Sequence, residues 1–137
     1  SPLMKRLLPL LALVAPRVRF DPGLDVLGIA RDAEALAAYL ADPLMQIGRI
    51  TPALAAATLA GIERVMRHAD DVTLPLLLLH GLADRVVPAD GTIALHALAG
   101  SRDKTLKTYP GAYHHLLLDD VREEATRDIL AWLAARS

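Results

Sequence analysis

The chain has 137 residues, 53% of them hydrophobic, a formal net charge of −1 and no cysteine. Such a chain folds around a real core and is not a disordered tail. There is no basic run and no basic stretch interleaved with aromatics, so nucleic acid is not an expected partner, and disulfides and thiolate metal sites are excluded.

In chain order, LLPLLALVAP (residues 7–16) comes first. It falls short of the roughly 20 apolar residues that span a bilayer, and no cleavage-site pattern follows it. It reads as a short apolar helix over 7–14 with Pro9 in its middle. The loop PRVRFDPGLDV (16–26) is punctuated by Pro22-Gly23. DAEALAAYL (32–40) is helical with Asp32 as N-cap, and ADPL breaks it. A longer helix over 51–69 opens with Thr51 as N-cap and Pro52 at the first helical position. Leu54, Ala57, Leu59, Ile62, Val65 and Met66 recur along it at helical spacing.

Beyond residue 70 the period changes. Residues 74–79 are a continuous apolar run, short enough to read as a strand buried on both faces. A helix over 88–100 ends at Gly100, TLKTY (105–109) alternates as a second strand, and Asp119-Asp120 open a final helix through Trp132 to Ala135. Strand, helix, strand, helix predicts right-handed crossovers and a parallel sheet.

Chemistry in such sheets gathers at the carboxyl ends of the strands. The loop after the first strand holds Gly81, Asp84 and Arg85; the loop after the second holds His114 and His115. One crossover joins the strands, so an acid and a histidine from neighbouring strand ends can meet. An acid bonded to one imidazole nitrogen fixes the tautomer and leaves the other nitrogen to take a proton from a nucleophile. The bland readings stand beside this one: Asp84 paired with Arg85 or capping the next helix, and His114 merely solvated. His80, at a strand end, reads as packed and hydrogen-bonded; His68 and His96 read as surface residues. The adjacent pair His114-His115 lacks a second cluster at ligand spacing, so no metal is expected. The three serines are Ser1, Ser101 and Ser137, with no G-x-S-x-G elbow. Ser101 precedes a strand, the wrong end for chemistry, so no nucleophile is identified in this chain.

LPLLLLHGLADRVVP (74–88), AGSRDKTLKTYPGAYHHLLLD (99–119) and a closing helix ending in AWL together resemble the C-terminal part of the monoacylglycerol lipase and lysophospholipase group of α/β-hydrolases. These belong to the wider serine aminopeptidase-like hydrolases. RDAEALAAYLADPL (31–44) is similar to the cap region of bacterial members. The resemblance implies an α/β fold: a helical cap segment over 1–70 and, over 71–137, the strand–helix–strand–helix C-terminal part of the hydrolase core. It implies that Asp84 is the triad acid, that His114 is the triad histidine, and that Val86 borders the acyl site. His115 receives no role.

The implied activity is cleavage of carboxylic esters of lipids, without a cofactor. The implied partners are a lipid ester, the N-terminal half of the fold with its serine elbow and oxyanion loop, and a membrane surface touched through the cap. The implied location is cytoplasmic or peripheral to a membrane. SPLM at the start looks like the end of the strand leading into the cap, so the chain reads as a fragment, inactive as an esterase by itself. Two alternatives stay open: an epoxide hydrolase or dehalogenase with an upstream Asp nucleophile, and a non-catalytic hydrolase-like binding module.

Overall fold

A computed structural model describes residues 2–45 and 48–137. Two compact units emerge, 1–24 with 47–68 and 25–46 with 69–137.

In the first unit, α1 (Pro2–Val14) packs against α3 (Pro52–Arg67). The α1 helix starts at Pro2 and runs through Pro9, so residues 2–4 are helical, contrary to the strand end expected for them; Ser1 lies outside the described residues. Thr51 caps α3 as expected: its side-chain oxygen accepts from the Leu54 amide at 3.1 Å, and Pro52 follows. An antiparallel bridge closes the unit, with the Phe20 and Ile50 amides and carbonyls paired at 2.9 Å in both directions.

In the second unit, β1 (Leu76–Gly81) and β2 (Lys104–Tyr109) pair in parallel, from Leu76 opposite Lys104 to Gly81 opposite Tyr109. The ladder starts two residues later than the apolar run; the first bond runs from the Leu76 amide to the Asp103 carbonyl. Helix α4 (Asp90–Leu98) joins the strands and α5 (Arg122–Ala134) closes the chain. Leu79 packs with Tyr109 and Ala125 of α5, whereas the next side chain, His80, meets Thr92 of α4. Successive side chains of a strand point to opposite faces, so the two helices cover opposite faces of the sheet.

Three details correct the sequence reading. The leucines of β1 are half-buried and not buried throughout, because among the described residues β1 has one neighbouring strand and an open edge. Gly100 does not end α4 through a left-handed turn; a Cβ there would strike the Asp70 carbonyl oxygen, so it permits a close backbone approach. Asp119 does not cap α5, which begins three residues later, after Val121.

The segment 25–46, expected within the cap segment 1–70, groups instead with 69–137, where its contacts are with the loops that follow the strands. It contributes a short 3-10 turn (Val26–Gly28) and α2 (Ala33–Ala41), whose N-cap Asp32 accepts from the amides of Glu34 and Ala35 at 3.1 Å. Ile29, Ala30 and Leu36 form a small core here, with Val86 and Leu118 packed against it.

At the carboxyl end of β1, Gly81 lies against the backbone of the loop that follows β2. A Cβ on it would run into the carbonyl oxygens of Ala112 and Tyr113. Gly81→Ala is therefore expected to lower stability by about 1–3 kcal/mol, the range for forcing extra volume into a packed interior. A urea midpoint equal to wild type would contradict this.

Candidate active site

The two strands end at the same level, and backbone bonds tie their loops together. The Leu82 amide donates to the Tyr109 carbonyl and the Ala83 amide to the Ala112 carbonyl, each at 3.0 Å. The second loop begins with a turn over Tyr109-Pro110-Gly111-Ala112. The Ala112 amide returns to the Tyr109 carbonyl at 3.2 Å, and Gly111 takes φ +74°. Proline followed by a left-handed glycine is the pattern of a type II turn. It sends the chain back toward Asp84.

Asp84 is nearly sealed, its side chain 2% exposed. One oxygen, Oδ1, accepts from the amides of Val86 at 2.8 Å and Val87 at 2.9 Å. The other, Oδ2, accepts from Nδ1 of His114 at 2.8 Å. Burial pushes the carboxyl pKa up, but the Val87 amide, the His114 imidazole and the Val86 amide outweigh it and hold Asp84 below the usual carboxylate range. A buried anion, already satisfied on one side, thus turns its remaining oxygen to an imidazole. Neither bland reading describes it. Arg85 pairs with Asp25 at 3.1 Å and stacks over the Tyr113 ring at 4.7 Å, and α4 opens after Ala89, beyond the reach of Asp84's bonds.

His114 is 40% exposed, and its Nε2 takes no hydrogen bond among the described residues. Its amide donates to the Gly28 carbonyl at 3.3 Å, and the His115 amide donates to the Ile29 carbonyl at 2.7 Å. His115 turns away to meet Tyr39 edge-on, with centroids 5.9 Å apart. Val86 lies against Ile29, Ala30 and Leu36. His80 is packed and hydrogen-bonded, as expected of it, whereas His68 is exposed and His96 half-buried.

A second carboxylate holds the histidine loop. Asp119 is fully buried; Oδ1 accepts from Nε and Nη2 of Arg31 at 2.8 and 2.6 Å, and Oδ2 from the amides of Arg31 and Tyr113 at 3.0 and 3.2 Å. The residue before His114 is thereby clamped to residue 31, 88 positions from Asp119. No local pattern signals such a pair; Asp119 beside Asp120 looks like a helix opening. Among the described residues, no group of three or more His, Asp or Glu side chains is placed to hold a metal ion. No helix there is long and apolar enough to cross a membrane.

The serine aminopeptidase, S33 hydrolase family matches residues 1–121. The chain belongs to this α/β-hydrolase family. It is 31% identical over 135 residues to the monoacylglycerol lipase of Mycolicibacterium smegmatis, covering 98% of this chain and 48% of that protein. It is 35% identical over 129 residues to the human monoglyceride lipase, covering 93% and 42%. The crystal structure of Paleococcus ferrophilus monoacylglycerol lipase matches with a TM-score of 0.90 at 32% identity, covering 100% of this chain and 53% of that one. This S33 chain thus spans about half the length of the relatives it matches.

The Arg31–Asp119 clamp carries a pH dependence. Burial raises the Asp119 carboxyl, but the Arg31 side chain and the two amides more than offset it, so the folded pKa lies below the unfolded one. Its stabilisation is present above the unfolded value, about 3.9, and drains away as pH falls through the lower folded value. Arg31→Met is expected to cost roughly 3 kcal/mol at pH 7 and visibly less near pH 3. Urea unfolding at both pH values checks this; a gap that does not narrow would contradict it.

Proposed function

We propose that this chain carries the acid and the base of a serine hydrolase that cleaves carboxylic esters of lipids, of the monoacylglycerol lipase type. The observation that carries the reading is the 2.8 Å bond from His114 Nδ1 to the buried Asp84 Oδ2, across the carboxyl ends of two paired parallel strands. With its proton on Nδ1, the ring offers a bare Nε2. That nitrogen takes the proton of a serine hydroxyl as it attacks the ester carbonyl and returns it to the leaving alcohol. Asp84 orients the ring and stabilises its cation.

The serine and the oxyanion donors come from outside these 137 residues. Ser101 is no substitute: it is buried at the amino end of β2, its hydroxyl bonded to the Asp103 carbonyl at 3.0 Å. Relatives named monoacylglycerol lipase and, at 30% identity, a caffeoylshikimate esterase support an ester over an epoxide or halide, and hence Ser over Asp as nucleophile. Val86 borders the acyl site in this reading. The exposed Leu7, Leu10, Leu11 and Leu13 of α1 support contact with acyl chains or a membrane surface.

In the full-length protein, Asp84→Asn should lower kcat on a monoacylglycerol by about 10³–10⁴-fold, because an amide no longer selects the productive tautomer. A fluorophosphonate probe should label the wild type at one serine. A folded protein that neither labels nor hydrolyses would favour the non-catalytic binding module.

A further inference from the structure

His80 lies on β1, four residues before Asp84, with its side chain 11% exposed. Its Nε2 is 3.0 Å from the Val87 carbonyl oxygen and 3.3 Å from Asp84 Oδ2, and its Nδ1 is 2.8 Å from Thr92 Oγ1 on α4. A carbonyl oxygen and an ionised carboxylate can only accept, so Nε2 must carry a proton. A neutral ring then has a bare Nδ1, to which the Thr92 hydroxyl, which rotates to suit its partner, can donate. His114 is the reverse case: its Nδ1 faces the acceptor and its Nε2 is bare. Two imidazoles thus face one carboxylate oxygen with protons on opposite ring nitrogens.

The Val87 peptide explains what this does. Its N–H donates to Asp84 Oδ1, and its C=O accepts from His80. One residue of the loop is gripped from both sides, by the acid and by a strand side chain. The loop has no regular structure to hold it, whereas β1 is bonded along its length to β2. A side chain on the strand is thus the rigid reference for the loop.

We propose that His80 is a positioning residue for the Asp84–His114 pair: its Nε2–H holds the Val87 carbonyl and faces Asp84 Oδ2, and Thr92 selects the tautomer that does so. The proposal rests on the reading of Asp84 and His114 as the acid and base of an ester hydrolase. His80 does not touch substrate; it acts by keeping Asp84 where His114 needs it.

The test separates the two ring nitrogens. An asparagine side chain ends near the Nδ1 position and can still meet Thr92, but it has nothing to give Val87. A glutamine reaches the Nε2 position and can donate to Val87. In the full-length protein, His80→Asn should lower kcat on a monoacylglycerol about 10²-fold with KM little changed, the scale of a misplaced catalytic group. His80→Gln should recover the greater part of that loss. Nitrogen-15 NMR of histidine-labelled wild type at neutral pH, which depends on no variant folding, should show His80 protonated on Nε2 alone. A proton on His80 Nδ1 would overturn the proposal, as would a folded His80→Asn with wild-type kcat or a glutamine variant no better than asparagine. Asp84→Asn measured alongside separates the two levels. Activity lost there but kept in His80→Asn removes the role of His80 alone; activity kept in both removes the functional reading as well.

Discussion

Much of the second unit depends on a carboxylate that never reaches water. Asp119 is fully buried, and a buried anion is tolerated only when its oxygens are bonded. Both are: the guanidinium of Arg31 covers one, and two backbone amides cover the other. Because one amide belongs to Tyr113 and the rest of the set to Arg31, satisfying this charge draws the loop before His114 onto the segment 25–46. The backbone then continues the attachment, with His114 and His115 bonding to the carbonyls of Gly28 and Ile29. The position of the histidine is a by-product of burying a different acid.

Asp84 solves the same electrostatic problem with other partners. It draws two amides from its own loop and an imidazole from the next, and among the described residues no arginine pairs with it. The difference suits their surroundings. An arginine on Asp84 would compete with His114 for Oδ2 and would set a permanent charge beside the ring. Arg85 is next in sequence but is diverted to Asp25 and to the face of Tyr113. The cation therefore braces the loop from outside and leaves the carboxylate to the histidine.

The sequence made the local features legible. Helix starts with capping chemistry, Asp32 and Thr51 with Pro52, stand where read, since a cap depends on neighbours two or three residues away. The two strands and the meeting of Asp84 with His114 followed from topology, since a single crossover makes strand neighbours. Long-range pairings stayed hidden. Arg31 and Asp119 are 88 residues apart, and nothing in either neighbourhood marks the other. For the same reason 25–46 reads as continuous with the helices around it, though it is held by the loops that follow the strands. The depth of β1 is not legible in its leucines, because an apolar run reports what a strand prefers, not how many neighbours it has.

The shared level at which β1 and β2 end has one more consequence. In a parallel ladder a slip of one residue shifts one strand by about 3.3 Å along the other and turns its side chains to the opposite face. Gly81 opposite Tyr109 fixes the level, and the bond between Asp84 and His114 spans only 2.8 Å. A mispaired sheet could keep its hydrogen bonds and still be unable to close that contact. The pair is thus a gauge of strand alignment, open in every register but one, and its chemistry would vanish on misfolding before the secondary structure did.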